Sequence, residues 1–242
     1  MANLKNKVES LIQALERSLG KVGFPTFMPP PTSADPGAAI EVASRNSEIV
    51  AGAVLGLHGP PDDGGEVARR LMVQFVDWNE VRVASPVLLV RVLGKDPRAG
   101  ERIQLLQRFL EAFFLKQRNL NLEHLVGLKS HERRQFVSDL EVFNREELSA
   151  FLLTCFGHAV FPPADPVHRV AQRCGLIRAK TTVLQMVKLF EDSLEIGEML
   201  SLYAHLYAIA LKVCHPESPR CPQCTLRSRC PSARKFAKAA RN

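Results

Sequence analysis

The sequence predicts an all-α protein. Two observations carry that prediction, and a third marks the breaks. Apolar residues recur at three- and four-residue intervals along most of the chain, and no stretch alternates apolar and polar residues as a half-buried strand would. Proline- and glycine-rich stretches interrupt the periodic segments. No internal repeat is present.

Leu4, Val8, Leu11, Ile12, Leu15 and Leu19 place residues 3–19 on one amphipathic helix. Phe24 to Gly37 holds five prolines and reads as an irregular linker. Helical segments are then expected over 46–57, 66–76, 86–93, 98–116, 130–138, 145–156, 165–174, 180–191 and 196–212. Ser85-Pro86 supplies a cap and a first-turn proline for the third of these. Gly59-Pro60-Pro61-Asp62-Asp63-Gly64-Gly65 reads as a loop. Phe109, Phe113 and Phe114 share a helical face and read as core, as does Trp78, with base stacking its alternative.

The 242 residues, 46% of them hydrophobic, are enough to bury one sizeable core or two small ones. No run of 18 apolar residues occurs and the first residues carry no secretory pattern, so a cytoplasmic monomer without a membrane span is expected. The net charge of +7 is unevenly placed. Lys212, Arg220, Arg227, Arg229, Arg234, Lys235, Lys238 and Arg241 face the single acid Glu217, so the stretch from 212 onward carries the whole excess. Such a patch is the electrostatic footprint of a phosphate-backbone contact.

Six cysteines, four of them clustered, suit a reducing compartment better than a disulfide framework. Cys155 and Cys174 lie in apolar helical contexts and read as packing thiols. Cys214, Cys221, Cys224 and Cys230 are spaced C-x6-C-x2-C-x5-C, with Pro222 and Pro231 stiffening the turns. Four thiolates at this spacing suit either a tetrahedral zinc or an iron–sulfur cube, and the chemistry alone leaves both open.

The stretch Cys214-His-Pro-Glu-Ser-Pro-Arg-Cys221-Pro-Gln-Cys224-Thr-Leu-Arg-Ser-Arg-Cys230 resembles the [4Fe-4S] loop of endonuclease III and its adenine-glycosylase relatives in the helix-hairpin-helix DNA glycosylase superfamily. The resemblance is good from about Leu140 onward and weak before residue 120. It implies a two-lobed helical fold: a barrel domain over 40–160 with the hairpin at about 130–156, and a cluster domain of 1–39 plus 161–242. It implies a structural [4Fe-4S] cluster on the four cysteines, zinc remaining the alternative. It also implies a duplex DNA partner, bound without sequence preference and in a salt-sensitive way. Arg220, Arg227, Arg229, Arg234 and Lys235 would make that contact, with Asn144 and Arg145 at the hairpin.

The family hairpin L-x-G-V-G-x-K-T-A aligns without a gap on Leu140-Glu141-Val142-Phe143-Asn144-Arg145-Glu146-Glu147-Leu148. Val142 and Asn144 replace the two glycines, so the turn must differ in shape or carry strain. Glu146 replaces the lysine that forms a Schiff base with the sugar in lyase-competent members, and a carboxylate cannot form that imine. Asn144 followed by Glu147 reads as an N-cap with glutamate at the third helical position. Such a cap satisfies amides that in the family hold a DNA phosphate. From Asp139 to Val170 five acids oppose two bases, a poor phosphate cradle.

The family motif F-P-V-D-T-H-V-x-R-V aligns on Phe161 and Arg169-Val170, which puts Ala164 at the catalytic aspartate and Asp165 one place later. Asp165, followed by Pro166, reads as a helix N-cap, with a catalytic stand-in as the alternative. His58, His168 and His215 read as structural or surface residues. No counterpart of the family's gap-filling glutamine is evident near Leu55-Gly56-Leu57-His58.

The expectation is therefore a DNA-associated repair homologue that keeps fold and cluster but has lost lyase activity, with glycosylase activity lost or weak. One alternative is an active monofunctional glycosylase using Asp165, helped by Glu146. The other is an iron–sulfur interaction or redox module that does not act on DNA.

Overall fold

The structure, a computed structural model, describes residues 2–23, 25–27, 36–58 and 64–239. Among them it contains helices α1 (Ala2–Leu19), α2 (Pro36–Gly56), α3 (Gly64–Gln74), α4 (Trp78–Val83), α5 (Pro86–Leu93), α6 (Ala99–Gln117), α7 (His124–Gly127), α8 (Ser130–Ser138), α9 (Arg145–Phe156), α10 (Asp165–Arg173), α11 (Val183–Glu191), α12 (Ile196–Lys212) and α13 (Pro231–Ala239). A 3-10 turn covers Cys221–Gln223, and no strand is present among the described residues. The all-α prediction holds.

Three helices were not expected. Six-residue α4 is set by Asp77, whose side chain accepts from the Glu80 amide. Four-residue α7 is too short to show a period. α13 begins with Pro231 in its first turn, where proline needs no intrahelical donor. α2 starts ten residues before the expected segment because Pro36 opens it rather than closing the linker. Phe24, residues 28–35 of that linker and residues 59–63 of the expected loop lie outside the described residues.

The chain divides into two compact units, Met1–Phe24 with Gly157–Asn242, and Pro25–Phe156. The second is built on α2 and α6. Gly64 fits against Gly52 so closely that a Cβ on Gly64 would lie 2.0 Å from the Gly52 carbonyl oxygen. Backbones meet there, so any side chain would force α2 and α3 apart. α6 supplies the core with Ile103, Leu106, Phe109, Leu110 and Phe113. Phe109 stacks on Phe143 with centroids 5.7 Å apart and meets Phe151 at 5.8 Å, so the aromatic core reaches directly beneath the hairpin. Truncating such a ring typically costs about 3–5 kcal/mol. Phe114, expected in the core, is only half-buried and lies under the Arg82 guanidinium at 4.3 Å. Trp78 is buried, in agreement with its core reading.

Two arginines brace this unit. Arg102 is fully buried, donates to the Leu55 carbonyl and pairs with Asp96. Arg133 donates to the carbonyls of Leu125, Val126 and Leu128 and lies over the Phe156 ring at 4.4 Å. It closes the end of α7, whose last carbonyls have no helical donor.

In the other unit α12 is buried along almost its whole length, from Met199 to Ala210. α1 covers it with Val8, Leu11, Ile12 and Leu15, and α10 with Val167, Val170 and Ala171. Phe161 meets Phe190 at 4.9 Å and Tyr203 at 6.1 Å. Buried His205 bonds both the Ser201 carbonyl and, through Nε2, the Gly20 carbonyl at 3.0 Å. That bond anchors the end of α1.

Candidate metal centre and nucleic-acid interface

The hairpin joins α8 to α9. Asp139 closes α8 and accepts from Lys116 and Gln135, which hold its carboxyl below the usual range. The left-handed residue of the turn is Glu141, at φ 53°, rather than either position aligned with a family glycine. A side-chain-bearing residue in that region costs about 1–2 kcal/mol. The expected strain is present, displaced by one residue onto Glu141.

The N-terminus of α9 is closed as the spacing predicts. The Glu147 amide donates to Asn144 Oδ1 at 2.9 Å, and the Asn144 amide donates to Glu147 Oε2 at 2.8 Å. This reciprocal box satisfies one donor on each side. The other carboxylate oxygen of Glu147 lies 2.8 Å from His58 Nε2, tying the end of α2 to α9. His58 thus has a structural partner. Asn144 and Arg145 are exposed, and Glu146 is half-buried.

Asp165 does not cap α10. Its predicted role falls to Ala164, which is extended at φ −89°, ψ 116°, and whose carbonyl accepts from the His168 amide. Asp165 is the first helical residue, and Pro166 behind it offers no N–H to receive. Asp165 is exposed, and among the described residues nothing donates to its carboxylate. Ala164 is fully buried. His168 bonds the Thr181 carbonyl at 2.7 Å, a structural role.

All four clustered cysteines line one small cavity of about 20 Å³, together with Arg173, Pro219, Arg227 and Phe236. The loop is shaped by its own backbone: the Arg220 amide donates to Val213, Cys224 to Cys221, Arg227 to Cys224 and Ala233 to Cys230. Buried Leu226 anchors its middle. Burial pushes the Cys221 and Cys224 thiols up, and neighbouring cysteine charges add to that. A cationic group bound to several thiolates would offset this cost. Among the described residues no three histidine, cysteine or carboxylate side chains are close enough together to hold a single metal ion.

α10 holds the loop in place. Arg169 Nε donates to the Cys214 carbonyl at 3.0 Å. One turn on, Arg173 donates to the His215 and Pro216 carbonyls and, at 3.4 Å, to Cys214 Sγ. The four-residue spacing of these two arginines was the available sequence signal, since it puts them on one helix face. His215 thus contributes its carbonyl to the loop. Cys174 is only half-buried, not a core thiol, because α10 ends there beside an open groove; burial of its sulfur still pushes its pKa up to about 12. Cys155 is buried as expected, and burial raises its pKa too.

Arg220, Arg227, Arg229, Arg234 and Lys235 are all exposed in this same unit. Arg229 donates to Ser10 of α1, which fixes its direction. The side chain of Lys238, and Arg241, lie outside the described residues. In the other unit Leu55 and Leu57 are buried, while Gly56 and His58 between and beyond them are partly exposed. The end of α3 is more open: Gln74, its last residue, is exposed, as are Val73 and Val76 at 82% and 87%. Among the described residues no helix is long and apolar enough to cross a membrane.

No family model matches this chain. In an alignment 172 residues long that covers 64% of this chain, it is 23% identical to DEMETER-like protein 3 of Arabidopsis thaliana, and it covers 16% of that protein. A trapped covalent intermediate of endonuclease III with DNA matches at a TM-score of 0.55 and 16% identity, covering 96% of this chain and 98% of that one. A non-covalent endonuclease III–DNA complex matches at 0.56 and 17%, covering 97% and 98%. A thermostable thymine-DNA glycosylase matches at 0.57 and 13%, again covering 97% and 98%. The chain therefore has the all-helical fold shared by endonuclease III and this DNA glycosylase.

Proposed function

We propose that this chain is a [4Fe-4S] protein of base excision repair that binds duplex DNA without sequence preference, and that has lost lyase activity and most or all glycosylase activity. The observation that carries the reading is a pair of substitutions within a retained fold. Glu146 stands where the family has its amine, and fully buried Ala164 stands where it has its aspartate.

Cys214, Cys221, Cys224 and Cys230 would hold the cluster, whose contribution is to stiffen the loop. Leu226 and the two α10 arginines hold that loop's backbone, and its four cysteines line one cavity. Around it, Arg220, Arg227, Arg234 and Lys235 keep their charges in solvent, available to phosphates. At the hairpin, Asn144 and Glu147 satisfy each other and set carboxylates against the positive end of α9. That favours DNA contact through the loop over clamping by the hairpin. Losing one preorganised electrostatic group typically costs on the order of 10²–10³ in rate, so absence of the aspartate accounts for weak or no excision.

One observation favours a second reading. Asp165 is exposed and is not engaged as a cap, which leaves its carboxylate open to activate water as a monofunctional glycosylase would. Iron-loaded protein is to be incubated with duplexes carrying oxidised pyrimidines, mismatched adenine, uracil or alkylated purines. The proposal expects weak or no base release, and efficient release abolished by Asp165→Asn would overturn it. Duplex affinity measured at two salt concentrations is expected to fall with a log–log slope of about −3 to −4, from roughly four phosphate contacts. No binding at low salt would leave an iron–sulfur module unconnected with DNA.

A further inference from the structure

Arg173 has no part in the substituted catalytic positions, yet its side chain is the most heavily engaged in the loop. One nitrogen, Nη1, serves both the His215 carbonyl at 2.7 Å and Cys214 Sγ at 3.4 Å, while Nη2 serves the Pro216 carbonyl. The other face of the guanidinium lies over the Phe236 ring at 4.8 Å. Phe236 and Arg173 both line the cavity with the four cysteines. Arg169, one turn earlier, reaches only carbonyl oxygens, those of Cys214 and Ala210. The two arginines thus divide the work: Arg169 holds backbone, and Arg173 also brings a positive charge and an N–H to a sulfur.

Resting on the cluster reading above, we propose that Arg173 is a positioning residue that sets the reduction potential of the group held by the four cysteines, with Phe236 fixing its guanidinium against Cys214. Hydrogen bonds to ligand sulfurs and nearby charge are levers on such a potential. A cube on four thiolates becomes one charge more negative when it takes up one electron. A guanidinium beside a ligand sulfur stabilises the reduced member of that couple more than the oxidised one. Removing its charge therefore lowers the potential. One charge at such close range in a partly solvated site contributes on the order of a factor of ten in the one-electron equilibrium, or about 59 mV.

The test is a mediated spectroelectrochemical titration of intact, iron-loaded protein, comparing wild type with Arg173→Gln, Arg173→Lys and Arg169→Lys. Iron content and absorption near ~400 nm establish loading in each. Arg173→Gln is expected to shift the midpoint negative by about 59 mV. Arg173→Lys, which keeps the charge, is expected to recover more than half of that. Arg169→Lys should lower thermal stability while leaving the midpoint in place, because its contacts end on carbonyls. Loaded Arg173→Gln protein with a wild-type midpoint overturns the proposal. Should that variant fail to load, resonance Raman of the iron–thiolate stretch compares wild type with Arg173→Lys. Exchange into D2O is expected to move a wild-type band more than the variant's, and equal movement overturns the proposal. Wild-type protein with zinc or no metal overturns the cluster reading itself, a separate outcome.

Discussion

Asn144→Ala separates the two roles open to the hairpin, helix cap and DNA contact. The substitution removes the acceptor of the Glu147 amide, a 2.9 Å bond at an exposed helix start. It leaves the Asn144 amide on Glu147 Oε2 and the His58 contact on Oε1, because neither uses the asparagine side chain. The loss is therefore one N-cap bond, about 1 kcal/mol. With a urea dependence near 2 kcal/mol per molar, the unfolding midpoint should fall by about 0.5 M. Urea titration followed by far-ultraviolet circular dichroism reads the stability, and fluorescence anisotropy with a labelled duplex reads the affinity. If the cap is what Asn144 is for, affinity at fixed salt stays within a factor of two of wild type. A threefold loss of affinity, about 0.6 kcal/mol, with an unmoved urea midpoint would refute the argument and make Asn144 a DNA ligand.

Two further outcomes follow from the same unit. Glu141→Gly relieves a left-handed backbone at φ 53° and should raise stability by about 0.5–1 kcal/mol, after the extra freedom glycine gives the unfolded chain is subtracted; a lower urea midpoint would contradict it. Burial would raise the Asp96 carboxyl, but the Arg98 amide and the Arg102 guanidinium outweigh it and hold the pKa below the ordinary range. Its folded value being the lower, the stabilisation is complete above the unfolded value of about 3.9 and is lost as pH falls through the folded one. The stability gap between wild type and Asp96→Asn should therefore be constant from pH 7 to about 5 and close below about 4, as read by urea midpoints.

Much of this was legible in the chain. The long helices announce themselves by period, and the Asn144–Glu147 box by the three-residue offset that such a cap requires. The cysteine spacing points to one shared site, and all four cysteines line a single cavity. What escaped reading was decided elsewhere. α7 is held by Arg133, whose donors come from a later helix, and no local pattern encodes that. Asp165 looked like a cap because aspartate before proline often is one, but the backbone turns helical one residue sooner and hands the position to Ala164. α4 carried a usable signal in Asp77 and Glu80, an acceptor and a carboxylate three apart. The part played by Arg173 depends on where the cysteine loop folds back, which is a tertiary fact.

The packing of α1 on α12 has a consequence for synthesis. Ser10 bonds Arg229, 219 residues later, and the Gly20 carbonyl bonds His205, 185 residues later. At roughly 5–20 residues per second, a ribosome needs about 10–40 s to supply those partners. Throughout that interval Val8, Leu11, Ile12 and Leu15 have nothing to lie against, while residues 25–156 can already assemble their own core. Each nascent copy therefore carries an amphipathic segment whose apolar face is covered only once α12 has been made.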